Sequence, residues 1–176
     1  DVVESFKSFI LQPGIPYLNV ALSCPAPDAG LLTVTQTRYA PLGSEIDTEA
    51  QTWTVPFAAR LSGANGDRTI RHMLTEKTTE LALDGGCPDW VMPNAGGSGY
   101  WRFNMDEASW KTLIANYEPL SEGEQLTFAD SVTAAFAAGE VSAETMLNAI
   151  EVKLYYEQGS NVVFTSPQLR YRYNCD

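Results

Sequence analysis

The spacing of hydrophobic residues changes twice along this chain. In residues 1–11, Val2, Val3, Phe6, Phe9 and Ile10 fall at helical spacing until Gln12-Pro13-Gly14-Ile15-Pro16 interrupts them, which predicts a helix end and an exit turn. From Tyr17 the period becomes two. Leu18, Val20 and Leu22 alternate with Asn19, Ala21 and Ser23, and Leu32 and Val34 alternate with Thr33 and Thr35 in a run that continues to Tyr39. After a polar loop over residues 43–51, Trp53, Val55 and Phe57 share one face of a further strand. Pro56 cannot donate to a ladder, so that strand is predicted at a sheet edge or a bulge. Asn65-Gly66-Asp67 signals a turn, beyond which residues 68–76 and 78–83 read as a strand pair. Residues 90–92 and 100–104 complete the set, on either side of the glycine-rich Asn94-Ala95-Gly96-Gly97-Ser98-Gly99. About seven short strands with Gly and Pro turns predict an antiparallel β-sandwich over residues 16–105.

Past Met105 the period returns to that of a helix. Asp106 is an N-cap for a helix carrying Trp110, Leu113, Ile114 and Tyr117 up to Pro119. Ser121 and Glu124 form a capping box that opens a second helix, with Leu126, Phe128, Ala129, Val132, Phe136 and Ala137 along it until Gly139. Ser142-Ala143-Glu144 opens a third, with Met146, Leu147, Ile150, Leu154 and Tyr155 on one face, stopping near Gly159. Residues 162–173 read as a partial fourth element broken by Pro167. This predicts two or three antiparallel helices joined by short loops over residues 106–176. A leading helix without an evident partner, and a helical array that stops so soon, are expected of a piece of a larger polypeptide.

The length of 176 residues and a 44% hydrophobic content allow a buried core. Against 22 acidic side chains stand 11 basic ones, a formal net charge of -11 that repels phosphate backbones and anionic lipid surfaces. Neither nucleic acid nor a membrane surface is an expected partner. No apolar run approaches the ~20 residues of a bilayer span. The opening Asp1-Val2-Val3-Glu4-Ser5-Phe6 lacks the basic start and apolar run of a signal peptide, so any export signal is expected outside this sequence. Cys24, Cys87 and Cys175 form no C-x-x-C pair. Three free thiols, or one disulfide with a thiol left over, fit the spacing. If a bridge forms, Cys24 and Cys87 are its expected ends, because each closes a predicted strand beside a proline, Pro25 and Pro88. Such a bridge would lean the location towards an extracytoplasmic compartment.

Individual residues offer little chemistry. The single histidine, His72, has no partners at metal-site or triad spacing and reads as an ordinary strand residue. Gly96-Gly97-Ser98-Gly99 precedes a strand, so it lacks the helix N-terminus of a phosphate loop and reads as a tight turn. Glu140, Glu144 and Glu151 read as a solvated acidic face. Trp53, Trp90, Trp101 and Trp110 suit core or interface packing, the rival being sugar-stacking platforms. No catalytic, cofactor-binding or metal-binding residue is expected in this chain.

A longer-range pattern says more. Residues 9–20 (Phe9-Ile10-Leu11-Gln12-Pro13-Gly14-Ile15-Pro16-Tyr17-Leu18-Asn19-Val20), Thr35-Gln36-Thr37-Arg38-Tyr39, Trp53-Thr54-Val55-Pro56-Phe57, Asn94 with Gly99-Tyr100-Trp101-Arg102-Phe103-Asn104, and residues 120–140 follow one another in the order and spacing of a known family. The chain, over roughly residues 6 to 158, resembles the zinc aminopeptidases of the alanyl, puromycin-sensitive and endoplasmic-reticulum type. The resemblance implies a last helix and exit turn of a catalytic domain at 1–15, an immunoglobulin-like sandwich at 16–105 and the opening helices of a C-terminal helical domain at 106–176. It also implies peptide substrates and zinc for the parent protein, and the remaining domains of the same parent chain as partners. The family's H-E-x-x-H-x18-E zinc motif, its G-x-M-E-N substrate motif and its catalytic tyrosine do not occur here. Gln125 lies near a position where the family often carries arginine, and Trp101 and Phe103 replace the usual tyrosine and valine of its Gly-Tyr-Tyr-Arg-Val strand. The resemblance therefore implies a non-catalytic fragment, the alternative being a glycan- or protein-binding sandwich on a helical stalk.

Overall fold

A computed structural model of the chain describes residues 2–26, 28–63 and 66–158. A short helix, α1 (Val2–Ile10), leads into seven strands: β1 (Pro16–Ala26), β2 (Ala29–Arg38), β3 (Val55–Ser62), β4 (Arg68–Leu74), β5 (Thr78–Leu83), β6 (Trp90–Met92) and β7 (Arg102–Asn104). Three helices follow, α2 (Glu107–Ala115), α3 (Glu122–Ala137) and α4 (Ala143–Gln158). The strands form a four-stranded sheet ordered β5-β2-β1-β7 and a three-stranded sheet ordered β4-β3-β6. The protein is a β-sandwich followed by a helical segment, with the four-plus-three division of an immunoglobulin-type strand set.

Alternation explains the inner faces. Leu18, Val20, Leu32 and Val34 from one sheet meet Val55, Phe57, Ala59 and Leu61 from the other, all buried, while the residues between them are partly or fully exposed. Three details depart from the expected pattern. The segments 68–76 and 78–83 do not pair with each other: β4 pairs with β3 and β5 pairs with β2, so the chain changes sheet between them. The hairpin is instead β3–β4, and Gly66 N–H donates to Gly63 O between those strands. Second, β3 is the central strand of its sheet, but β6 covers it only from Arg60 to Ser62, which leaves Pro56 in the part of β3 with a single neighbour. Third, β7 pairs with β1 in parallel, which the long excursion between them permits.

The helices cover the side of the sandwich where β6 and β7 end the two sheets. The Phe103 ring stacks on Trp110 with centroids 5.3 Å apart, and Phe128 meets both Trp110 and Tyr117 edge to face. One hydrophobic core therefore runs from the strands into the helices. The face that α3 buries is Phe128, Ser131, Val132, Ala134 and Ala135, while Leu126 and Phe136 are exposed. On α4 the buried positions are Thr145 and Ala149, and Leu147 and Ile150 are exposed, so the expected face is rotated outward.

Candidate functional site

The densest polar arrangement in the molecule lies where the sandwich meets α3. Ser121 has extended backbone geometry and its hydroxyl accepts from Glu124 N–H, while the Glu124 carboxylate accepts from Ser121 N–H, completing the capping box that the sequence predicts. The same carboxylate has a second task. Arg60 on β3 donates to it through Nε at 3.0 Å and Nη2 at 2.7 Å, a two-pronged pair, and Gly96 N–H donates to it at 3.1 Å. Glu124 is 2% exposed. Burial pushes its pKa up, but the bonds from Ser121, Gly96 and Arg60 outweigh that and hold it below the usual carboxylate range. Arg60 is itself held by Asp67 (2.7 Å), by the Pro119 carbonyl (3.0 Å) and by the Trp90 ring, whose centroid lies 4.9 Å from the guanidinium carbon.

The glycine-rich turn fits this node for steric reasons. Residues 95–97 form one turn of 3-10 helix, and Gly96 and Gly97 have φ of 67° and 64°. The Asn94 side chain closes the turn, donating to Gly99 O and accepting from Gly99 N–H, both at 2.9 Å. A Cβ on Gly97 would lie 2.1 Å from the Gly123 carbonyl oxygen, so the turn and the first turn of α3 touch backbone to backbone. The turn does hold an anion, and the anion is the protein's own Glu124 carboxylate.

Further polar contacts extend this seam along α3. Ser131 Oγ, buried, accepts from Phe103 N–H on the outer edge of β7, and Asp130 accepts two bonds from Arg102. Tyr39 OH donates to Ala134 O, and Leu42 N–H to Ala137 O. Beyond the helix, Glu140 Oε2 accepts from Tyr17 OH at 2.9 Å and Asn104 Nδ2 at 2.8 Å. Burial and then Glu140 push the Tyr17 hydroxyl far above its ordinary range, so it stays a donor. Glu140 thus ties the end of α3 to β1 and β7, which the reading as a solvated face did not include. Glu144 lies 3.9 Å from Lys111, and Glu151 sits two turns further along α4.

Of the other sequence candidates, His72 and Arg71 lie exposed on β4 at the rim of a groove of about 810 Å³. Phe6 and Phe9 of α1 wall it on one side and Tyr100 on another. Helix α1 docks by its polar face: Ser5 Oγ donates to Thr54 O at 2.7 Å, Ser8 Oγ accepts from Thr54 N–H at 3.1 Å, and Gln12 Nε2 donates to Thr52 O at 3.1 Å. Phe9 packs against the core and Tyr100, whereas Phe6 is 65% and Ile10 59% exposed, as is Leu11 just after the helix, at 74%. Trp53, Trp90, Trp101 and Trp110 are all buried, so none of the four rings is a stacking platform. Cys24 and Cys87 form a disulfide, their Cα atoms 5.7 Å apart. Cys175 and the element expected at 162–173 lie outside the described residues. Among the described residues no three His, Cys, Asp or Glu side chains converge to hold a metal ion, and no helix is long and apolar enough to cross a membrane.

The described residues thus form a β-sandwich bonded to a helical segment along a polar seam. No family model matches the chain. Among curated proteins it is similar to a membrane alanyl aminopeptidase of Heliothis virescens, with 28% identity over 121 residues. That alignment takes in 65% of this chain and 11% of the relative. The chain thus has a distant relationship to an aminopeptidase and spans a small part of its length.

Proposed function

We propose that this chain is a non-catalytic part of a zinc-dependent aminopeptidase that removes N-terminal residues from peptides. In this reading residues 1–15 end a catalytic domain, 16–105 are the linking sandwich, and 106–176 begin the helical domain that covers the active-site cleft. In the same reading, zinc and the groups that activate its water belong to the catalytic domain. The observation that carries the reading is the exposure of Phe6 and Ile10 on α1, a helix fastened by Ser5, Ser8 and the partly buried Phe9. A helix that docks through these residues and presents Phe6 and Ile10 outward is built to lie between two bodies. The exposed Leu126, Phe136, Leu147 and Ile150 are the corresponding feature on the helices. The distant alanyl aminopeptidase relationship supports reading those bodies as the neighbouring domains of such an enzyme. The Cys24–Cys87 bridge supports an extracytoplasmic location.

The test is the gene upstream of the codon for Asp1. An H-E-x-x-H motif within a few hundred residues is the expected finding, and an upstream frame without one refutes the reading. The purified chain is expected to release no product from aminoacyl-anilides and to carry no stoichiometric zinc. The rival, a sandwich that binds a protein or glycan, draws on the groove beside Tyr100, and binding there by the isolated chain would favour it.

A further inference from the structure

The structure assigns the Arg60–Glu124 pair the role of a lock that makes the sandwich, α2 and α3 one rigid strut, so that movement of the helical part is taken up at α4 and not at the sandwich–helix seam. Three independent groups of contacts carry this. At its first turn α3 is held by the buried Glu124 carboxylate, which joins β3, the 95–97 turn and the helix N-terminus. The glycine contact alongside leaves no room for sliding, because Gly97 and Gly123 already touch. At its middle, Ser131 satisfies the edge amide of β7, and Phe128 lies in the aromatic cluster with Trp110. At its end, the carbonyls of Ala134 and Ala137 accept from Tyr39 OH and Leu42 N–H. The beginning, middle and end of α3 are therefore bonded to the sandwich.

Helix α4 is held differently. Its principal neighbours are α2 and α3, and it buries small side chains, Thr145 and Ala149, with Met146 partly covered. Its polar contacts with α2 include Glu107, which accepts from Ser142 N–H and from the Thr145 hydroxyl, and Lys111, 3.9 Å from Glu144. It leaves α3 through Gly139, whose φ of 77° gives a sharp turn with no Cβ in the way. A groove of about 260 Å³ lined by Phe128, Val132, Met146 and Ile150 remains open between the two helices. Among the described residues, the helical segment therefore contains one element bonded directly to the sandwich and one that packs chiefly on the other helices. This division follows from contacts within the chain and does not depend on the aminopeptidase reading.

Hydrogen–deuterium exchange of the whole chain, read by mass spectrometry, tests it. In the unmodified protein, amides of α3 are expected to exchange as slowly as those of β1 and β2, and those of α4 at least about tenfold faster. Glu124→Gln, and separately Arg60→Lys, which keeps the charge and loses the fork, should speed exchange in α3 while β1 and β2 stay protected. Asp130→Asn weakens a more exposed pair on the same helix and should disturb α3 far less than Glu124→Gln does. Equal exchange in α3 and α4 of the unmodified protein overturns the proposal, a result that stands even if a variant fails to fold. An Arg60→Lys or Glu124→Gln protein with undisturbed α3 overturns it as well. So does an Asp130→Asn protein as loosened as Glu124→Gln.

Discussion

Glu124 shows how one side chain can serve two levels of structure. As the fourth residue of Ser121-Glu122-Gly123-Glu124 it caps its own helix, and through Arg60 it fixes that helix to a strand 64 positions earlier. Replacing it by Gln keeps the shape and removes the charge, so the bonds from the guanidinium weaken. An expected loss of about 2–3 kcal/mol, the range for hydrogen bonds to charged groups, is measurable by denaturant titration at pH 7. The pH dependence follows from the lowered pKa of Glu124. Its contribution is complete above the ordinary glutamate value of 4.5 and disappears as pH falls through the lower folded value. The stability gap between the native protein and Glu124→Gln should therefore narrow below about pH 4. Both proteins should still lose stability in acid. Asp67, held low first by the Ser62 hydroxyl, and Glu107, held low first by the Thr145 hydroxyl, are present in each.

At the scale of elements, legibility followed the range of the interactions. Strand alternation in 16–38 and 53–61 and the caps at Asp106 and Ser121 are local, and the structure has them where the sequence places them. Periodicity reveals that residues share a face but not what that face meets. Phe6 and Ile10 of α1 thus look like a core-facing stripe and point outward, and Leu147 and Ile150 of α4 do the same. The partners of residues 68–74 and 78–83 were misread because sheet membership depends on β2 and β3, far away in sequence. The glycine-rich turn was legible as a turn, whereas its amide contact with Glu124 was not, since no local signal names a partner 28 residues on. Gly97 is where this matters most. Gly97→Ala must adopt a positive φ and push apart two backbones, so a loss well above 1 kcal/mol is expected from thermal melting. Gly66→Ala, with a positive φ but open space, should cost less.

For the molecule as a whole, the continuous core predicts a single unfolding transition for the sandwich with α2 and α3. The Cys24–Cys87 bridge closes a loop with a sequence separation of 63, which in the chain-entropy view contributes about 4 kcal/mol. Calorimetry on the protein with both cysteines replaced by serine should show a lower melting temperature and a near-native circular dichroism spectrum, because the inner faces of both sheets are intact. A spectrum of an unfolded chain would mean that the bridge, and not the core, specifies the sandwich. The parallel pairing of β1 with β7 also fixes an order of events during synthesis. β1 emerges from the ribosome well before its partner β7, so the nascent chain carries an unpaired edge along Tyr17–Asn19 until residues 102–104 emerge. Closure of the four-stranded sheet is therefore a late, non-local step that the topology imposes on folding.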